Sequence, residues 1–314
     1  MLPSKPKAPR NRTLTLAPTE LTLYGQRLRQ LNHATSLAMV QDSTIHQTCL
    51  DAIAHLPTAC VDLLILDPPY NLRKDFHGRQ FNRRSPADYI TWCESWLVPL
   101  KRLLKPTATV YVCADWQSSA VIYPLLSEHF TVRNRITWER EKGRGAKSNW
   151  KNASEDIWFC TVSDRYTFNV EAVKLKRRVL APYRDRHGHP KDWQDSQQGR
   201  FRLTHPSNLW TDISVPFWSM PENTDHPTQK PEKLIAKLIL ASSRTGAMVL
   251  DPFLGSGTTS VVAKKLDRHY IGIEINQDYC CLAEKRLEMV DRDRRIQGYA
   301  DGYFWERNST PRPE

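Results

Sequence analysis

The chain has 314 residues, of which 40% are hydrophobic and 25% charged, a balance typical of a globular protein with one large domain or two small ones. No apolar run approaches the ~20 residues that cross a bilayer, and the basic, proline-rich N-terminus lacks a signal-peptide core, so we expect a cytoplasmic protein without a membrane segment. The net charge of +11 falls mainly in 1–35 and 131–215, and by itself it fits a nucleic-acid partner no better than a generic basic protein.

The first part of the chain predicts a flexible arm followed by strands that alternate with helices. Residues 1–35 are basic, rich in proline and poor in large apolar side chains, which indicates a flexible arm. Val61–Leu66 is an apolar run that ends at Asp67 and two prolines, so it predicts a buried strand. Further along, the pattern predicts in order a loop, an amphipathic helix, a strand and a helix: 71–85, 89–104, 109–114 and the residues around Leu125.

Residues 131–215 interrupt this alternation and predict an inserted, less regular region with β-like segments at 132–138 and 155–162. After it the alternation returns. Helices are predicted at 231–242, 258–266 and 277–290, and the strands between them at 248–250 and 269–275. We therefore expect an α/β fold with a doubly wound, mostly parallel sheet, built from 36–130 and 216–294. Residues 295–314 are expected to form a loosely ordered tail.

A glycine-rich turn, Asp251–Thr259, lies between a predicted strand and a predicted helix. Glycines at such a place let the backbone approach a ligand at the helix N-terminus. A phosphate-binding loop would need a lysine before the Ser/Thr, but Gly257 is followed directly by two threonines. Glu274 ends the next strand, where a carboxylate can bind ribose hydroxyls, so NAD and S-adenosylmethionine both remain open as ligands.

A second turn, Asp67-Pro68-Pro69-Tyr70, follows the strand 61–66 at its carboxyl end, where α/β sheets bind ligands. Methylation of an exocyclic amino group needs acceptors for the amino hydrogens, because conjugation with the ring makes the nitrogen a poor nucleophile. A carboxylate, a backbone carbonyl fixed by prolines and an aromatic face for a flipped base would meet that need. The alternative is a proline-rich strand terminator without chemistry.

The turn at 67–70, the segment DPFLGSGTT at 251–259 and the segment HPTQKP at 226–231 together resemble the β class of DNA amino-methyltransferases. The order of the motifs, with the catalytic turn first and the cofactor turn last, is the permuted order of that class. The resemblance implies a seven-stranded methyltransferase sheet with permuted motif order, in which 131–215 is the target-recognition region. It also implies S-adenosylmethionine as cofactor, double-stranded DNA as partner and, in the cytoplasm, association with the nucleoid.

The resemblance assigns roles to individual residues. Asp67 and the Pro68 carbonyl would accept the amino hydrogens, Pro69 would stiffen the turn, and Tyr70 would stack on the flipped base. The cofactor would be bound by Asp251, Phe253, Gly255, Gly257, Thr258, Glu274, His226, Thr228, Lys230 and Asp42. No metal is needed for methyl transfer from a sulfonium, and the seven scattered cysteines show no CxxC pair or Cys/His spacing that would bind one.

Basic residues near the catalytic turn and in the target-recognition region are expected to contact DNA phosphates. They are Arg73, Lys74, Arg140, Lys142, Arg144, Lys147 and Lys151. Asp as the first residue of the catalytic turn favours adenine N6 as the methylated atom, with cytosine N4 as the alternative. A catalytically silent DNA-binding protein is a remote alternative, since the acidic and glycine residues are intact. Self-association as a homodimer and a cognate restriction endonuclease stay open.

Overall fold

The computed structural model describes residues 8–76, 79–140, 147–180, 183–196 and 199–307. The strands in chain order are Ser43–His46 (β1), Val61–Leu66 (β2), Lys74–Phe76 (β3), Arg79–Phe81 (β4), Leu104–Ala114 (β5), Thr131–Glu139 (β6), Ser154–Thr161 (β7), Leu175–Arg178 (β8), Gln194–Ser196 (β9), Gly199–Thr204 (β10), Leu209–Trp210 (β11), Met248–Asp251 (β12), His269–Glu274 (β13), Tyr299–Ala300 (β14) and Tyr303–Trp305 (β15). The helices are Pro18–Gly25 (α1), Leu37–Val40 (α2), Cys49–His55 (α3), Pro86–Lys101 (α4), Trp116–His129 (α5), Glu232–Ser242 (α6), Thr258–Lys265 (α7) and Gln277–Val290 (α8), with a 3₁₀ turn at Glu171–Val173.

The central sheet has the order β1-β13-β12-β2-β5-β7-β6-β11. Its first five strands are parallel, β7 is antiparallel to both neighbours, and β11 pairs parallel with β6. The predicted mostly parallel α/β sheet is confirmed. The two-residue strand β11 adds an eighth member to the seven that were expected.

Helices cover both faces of this sheet, as the predicted doubly wound architecture requires. One core packs α3, α4 and α5 against the sheet, and a second core packs α6, α7 and α8 against the other face. The strands β2 and β12 are almost wholly buried, which explains why they are apolar apart from Asp62 and Asp251. Of the seven cysteines, all free thiols, only Cys49 is not fully buried.

The two β-like segments of the predicted insertion are strands β6 and β7, and they belong to the central sheet. Alternate side chains such as Ile136, Trp138 and Ile157 are buried against the second core. The region 131–215 therefore begins with two strands of the central sheet. The chain between β7 and β11 departs from it, with β8, β9 and β10 in a separate five-stranded sheet, and β11 returns to pair with β6.

The expectation of a loose tail after residue 294 is wrong for the part of the tail that the structure describes. Strand β15 pairs with β8 and β14 pairs with β15, which completes the five-stranded sheet. Phe304 and Trp305 are completely buried, and the Trp305 ring packs edge-on against Phe201 at 5.3 Å. Burial of two large aromatic side chains supplies the free energy that orders this segment.

The predicted flexible arm 1–35 likewise contains ordered structure within its described residues. Helix α1 packs along α8 and buries Tyr24, and Lys285 pairs with Glu20 at 2.6 Å. Proline at the start of α1 is compatible with a helix because the first turn has no partner for its N–H groups. Within the described residues, no helix combines the length and apolarity that a membrane span requires.

Candidate active site

The predicted catalytic and cofactor turns meet at one edge of the central sheet. Strands β2, β12 and β13 are neighbours and parallel, so the residues that follow them emerge side by side. These are Asp67–Tyr70, Asp251–Ser256 and Glu274, whereas Gly257, expected at the cofactor, lies against Ala283 and is not among the residues that line the cavity. The segment His226–Lys230 lies across the same edge before α6 begins. Together they line a cavity of about 530 Å³, a size typical of small-molecule sites.

Asp251 organises the glycine-rich turn from within. Its carboxylate accepts hydrogen bonds from the Thr259 hydroxyl at 2.6 Å and from the Phe253 backbone N–H at 3.0 Å. Burial raises the pKa of Asp251 to about 7, although both hydrogen bonds favour the ionised form. This side chain therefore links the end of β12 to the first turn of α7.

Glu274 holds the same turn from the neighbouring strand. Its carboxylate accepts the Gly255 N–H at 2.9 Å and the Asn276 N–H at 2.8 Å while lining the cavity. Gly255 has a φ of +54°, and a Cβ there would lie 3.0 Å from the His226 ring. Glycine thus leaves room for the close approach of His226 to the turn.

The segment His226–Lys230 is fixed by its own hydrogen bonds. The Gln229 side chain accepts from the Thr224 N–H and hydroxyl and donates to the Glu222 carbonyl at 2.7 Å. The His226 ring packs edge-on against Tyr279 at 4.5 Å, and His226 Nδ1 accepts the Thr228 N–H at 3.3 Å. The segment therefore forms a fixed wall of the cavity.

The catalytic turn is fixed at both ends. The Tyr70 hydroxyl donates to Asp67 Oδ1 at 2.9 Å, and the Pro69 carbonyl accepts from the buried Tyr89 hydroxyl at 3.1 Å. Burial, together with the charges of Asp67 and Glu155, raises the pKa of Tyr70 well above its ordinary value. The phenol is therefore neutral and acts as a hydrogen-bond donor at physiological pH.

The resemblance assigns Lys230 to cofactor binding, but its ammonium lies on the Asp67 carboxylate. Lys230 Nζ is 2.7 Å from both oxygens of Asp67 and 3.1 Å from the Tyr70 hydroxyl. Burial lowers the pKa of Lys230, but the charges of Asp67 and Glu155 outweigh this effect and raise it above the ordinary value. Lys230 is consequently a buried cation that balances two carboxylates.

Glu155 is a site residue that the sequence did not indicate. It lies near the start of β7, and because that strand is antiparallel its first residues reach the edge where the parallel strands end. The side chain is 4% exposed, with Oε2 3.3 Å from Lys230 Nζ and 3.2 Å from the Tyr70 hydroxyl. Arg140, expected to bind DNA, directs its guanidinium to the other Glu155 oxygen.

Four aromatic side chains form a wall of the cavity that was also unforeseen. Trp92 packs against Phe81 at 5.1 Å, and Trp96 meets Phe253 edge-on at 5.2 Å. Phe81 belongs to the hairpin β3–β4, which occupies part of the range predicted as a loop. A cavity with this lining suits a ligand that carries an aromatic or aliphatic surface.

Asp42 is not brought to the cavity, which corrects its predicted place near the cofactor. It precedes β1 at the amino edge of the sheet, opposite the catalytic turns. Its carboxylate lies 2.7 Å from His269 Nδ1 and accepts the Tyr270 N–H at 3.2 Å. The residues that line the cavity from this strand are Gln47, Thr48 and Cys49, which follow its other end.

The predicted DNA contacts fall into three groups. Arg73, Lys147 and Lys151 are exposed, and Lys74 begins β3. Arg140 is partly buried and forms a salt bridge with Glu155. Lys142 and Arg144 lie outside the described residues.

Comparison with known proteins gives consistent matches. Residues 61–285 match the family model described as DNA methylase of the N6/N4 class. The chain is 32% identical to the type II methyltransferase M.HpaI of Haemophilus parainfluenzae over 78% of this chain and 73% of that protein. It is 33% identical to the DNA adenine methyltransferase YhdJ of Escherichia coli K12 over 78% and 82%. The structure of the cytosine-N4-specific PvuII DNA methyltransferase aligns with a TM-score of 0.57 at 17% identity, over 81% of this chain and 86% of that one.

Proposed function

This chain belongs to the family of N6-adenine and N4-cytosine DNA methylases, and we propose that it methylates adenine N6 in double-stranded DNA with S-adenosylmethionine as the methyl donor. The observation that carries this proposal is the convergence of the Asp67 carboxylate, the Tyr70 phenol and the glycine-rich turn on one cavity. Within such a cavity an amino group and a methyl donor can be held in contact.

The cavity fits S-adenosylmethionine in size and in chemistry. Glu274 offers carboxylate oxygens toward ribose hydroxyls, and the aromatic wall around Phe253 offers a surface for the adenine ring. A Cβ at position 255 would be crowded by His226. Because Gly255 has none, its backbone remains accessible at this point. When bound, the donor supplies an electrophilic methyl group, and the S–C bonding pair returns to sulfur as the amino nitrogen forms the new N–C bond.

The catalytic turn would prepare the amino group for this step. Asp67 and the Pro68 carbonyl accept the two amino hydrogens, which favours a localised lone pair on nitrogen. Tyr70 provides an aromatic face for the flipped base, and the proton that leaves the nitrogen passes to Asp67 and then to solvent. The hydrogen bond between the Pro69 carbonyl and Tyr89 keeps the turn in place meanwhile.

Adenine is favoured over cytosine by two observations. The catalytic turn begins with Asp67, which by the resemblance to this family favours adenine. One relative at 33% identity is named a DNA adenine methyltransferase. The exposed Arg73, Lys147 and Lys151 are proposed to contact phosphates of the bound duplex. Pairing with a restriction endonuclease and self-association stay predictions from the sequence.

The test is incubation of the protein with S-adenosylmethionine and unmethylated duplex DNA, followed by nucleoside mass spectrometry. We expect N6-methyladenine, and we expect Asp67→Ala to abolish methylation while retaining DNA binding. Asp62→Ala, which removes a carboxylate at the opposite end of the same strand, is the matched control and should methylate. N4-methylcytosine would correct the choice of base, and absence of both products would overturn the proposal.

A further inference from the structure

The Asp67 carboxylate belongs to a network of four charges, of which Lys230 and Glu155 are buried and Asp67 and Arg140 are partly exposed. Lys230 Nζ lies between two carboxylates, 2.7 Å from Asp67 and 3.3 Å from Glu155. The Tyr70 hydroxyl also lies between them, at 2.9 Å and 3.2 Å. Arg140 binds the second oxygen of Glu155. Two cations therefore face two anions, with a phenol shared between the anions.

The charges in this network balance in pairs. Lys230 and Glu155 are 6% and 4% exposed, so an unpaired charge on either would be costly. Arg140 compensates Glu155 without using the oxygen that faces Lys230. Arg140 thus holds Glu155 in place beside a cation that is already bound to Asp67.

The observed arrangement conflicts with the role proposed for Asp67. Both Asp67 oxygens accept from the Lys230 ammonium, and one also accepts from Tyr70. A carboxylate has about four lone-pair directions, and these donors occupy three of them, so the amino hydrogen has one direction left on oxygens that already share their charge with a cation. Asp67 becomes a stronger acceptor for the amino group if the ammonium moves away from it.

Glu155 offers the place to which it can move. A shift of about half an ångström would bring Lys230 Nζ from 3.3 Å to a normal hydrogen-bond distance from Glu155 Oε2. The Tyr70 hydroxyl can make a similar change of partner by rotating its hydrogen. After these changes Lys230 and Glu155 remain paired, and Lys230 stays near Asp67 at a longer distance, which leaves the Asp67 oxygens more open to the amino hydrogen.

We propose that Glu155 is a positioning residue for methyl transfer, which receives the Lys230 ammonium and the Tyr70 hydroxyl when the target amino group takes up Asp67. This inference rests on the proposed function. Glu155 itself does not contact the reacting atoms in this scheme. It acts by giving Lys230 a second anion, so that Asp67 becomes available without leaving an unpaired buried charge.

The first test is the rate of methylation in a single turnover at saturating DNA and S-adenosylmethionine. Glu155→Gln keeps the side-chain shape but removes the charge, so the ammonium stays on Asp67. We expect the rate to fall by roughly 10- to 100-fold, with both dissociation constants changed by less than about 3-fold. Asp156→Asn is the matched control, because Asp156 lies on the opposite face of β7 and accepts from Thr137. It should react at the wild-type rate.

The second test separates competition for Asp67 from a structural role. The double variant Lys230→Met/Glu155→Gln removes the ammonium together with its alternative anion, leaving Asp67 and Arg140 with opposite charges. We expect it to react at least about 5-fold faster than Glu155→Gln alone. A double variant that is no faster, or a single variant with an unchanged rate, would overturn the inference. Failure of the wild-type protein to methylate would instead refute the proposed function.

Discussion

Gly257 provides a direct test of how the cofactor turn is built. It is the residue before α7, with a φ of +88°, and its N–H donates to the Leu254 carbonyl at 3.1 Å. A Cβ at this position would lie 2.5 Å from Ala283 Cβ and 2.8 Å from Ala283 Cα in α8. Because the second contact is to the backbone of a packed helix, no side-chain rotation can relieve it.

The expected cost of Gly257→Ala has two parts. A left-handed φ costs alanine about 1–2 kcal/mol relative to glycine. Overpacking against α8 adds about 1–3 kcal/mol, since the helix has to shift. We therefore expect the free energy of unfolding to fall by roughly 2–5 kcal/mol. Gly246→Ala isolates the first part, because Gly246 has a φ of +75° but no atom within 4 Å of the added Cβ.

Urea unfolding of the two variants measures the difference between them. The added destabilisation of Gly257→Ala should diminish when Ala283→Gly is introduced, with a coupling of about 1–2 kcal/mol in the double-mutant cycle. Only partial relief is expected, because the contact with Ala283 Cα remains. The close approach of the turn to α8 would be refuted if Gly246→Ala and Gly257→Ala lowered the free energy of unfolding equally. It would also be refuted if the effects of Gly257→Ala and Ala283→Gly were strictly additive.

Two further predictions concern burial. Burial raises the pKa of Asp251 to about 7, so between about pH 4 and pH 7 the folded protein retains a proton that the unfolded chain has lost, and stability from this group decreases as pH rises. Asp251→Asn lacks this titration, so between pH 5 and pH 8 its free energy of unfolding should rise by about 2 kcal/mol relative to that of the wild type. If the free energies of unfolding of the two proteins change with pH in parallel, the pKa shift is contradicted. Trp305→Ala should cost about 3–5 kcal/mol because Trp305 is fully buried. Trp150→Ala, at a side chain 93% exposed, should change the free energy of unfolding by less than about 0.5 kcal/mol, and similar effects would show that the C-terminal strands do not pack as described.

Elements with strong local signals were predictable from the sequence. The apolar run of β2 ends at two prolines, and the turn after β12 contains the glycines that its positive φ angles require. Adjacent parallel strands then bring both turns to one edge, a consequence of topology that follows once the α/β alternation is recognised. The location of the cavity could therefore be inferred before any coordinates were known.

Features that depend on partners distant in the chain were not predictable in this way. Helix α1 is short and weakly amphipathic, and its order comes from packing on α8. The strands β14 and β15 contain few residues; β15 is ordered by pairing with β8, about 130 residues earlier in the sequence, and β14 by pairing with β15. Local composition indicates flexibility at both ends of the chain because it contains no information about these contacts.

Lys230 shows how the same difficulty affects the active site. Its neighbours in sequence, His226 and Thr228, face the glycine-rich turn, which favours a cofactor role for the whole segment. A lysine side chain is long enough to reach a different strand, however, and its position is decided by where buried negative charge is concentrated. From the sequence, Asp67 alone did not indicate that buried negative charge is concentrated at this point. It becomes apparent only when β7 is known to be antiparallel, because the reversal of that strand brings Glu155 to the catalytic edge and creates the second anion that Lys230 bridges.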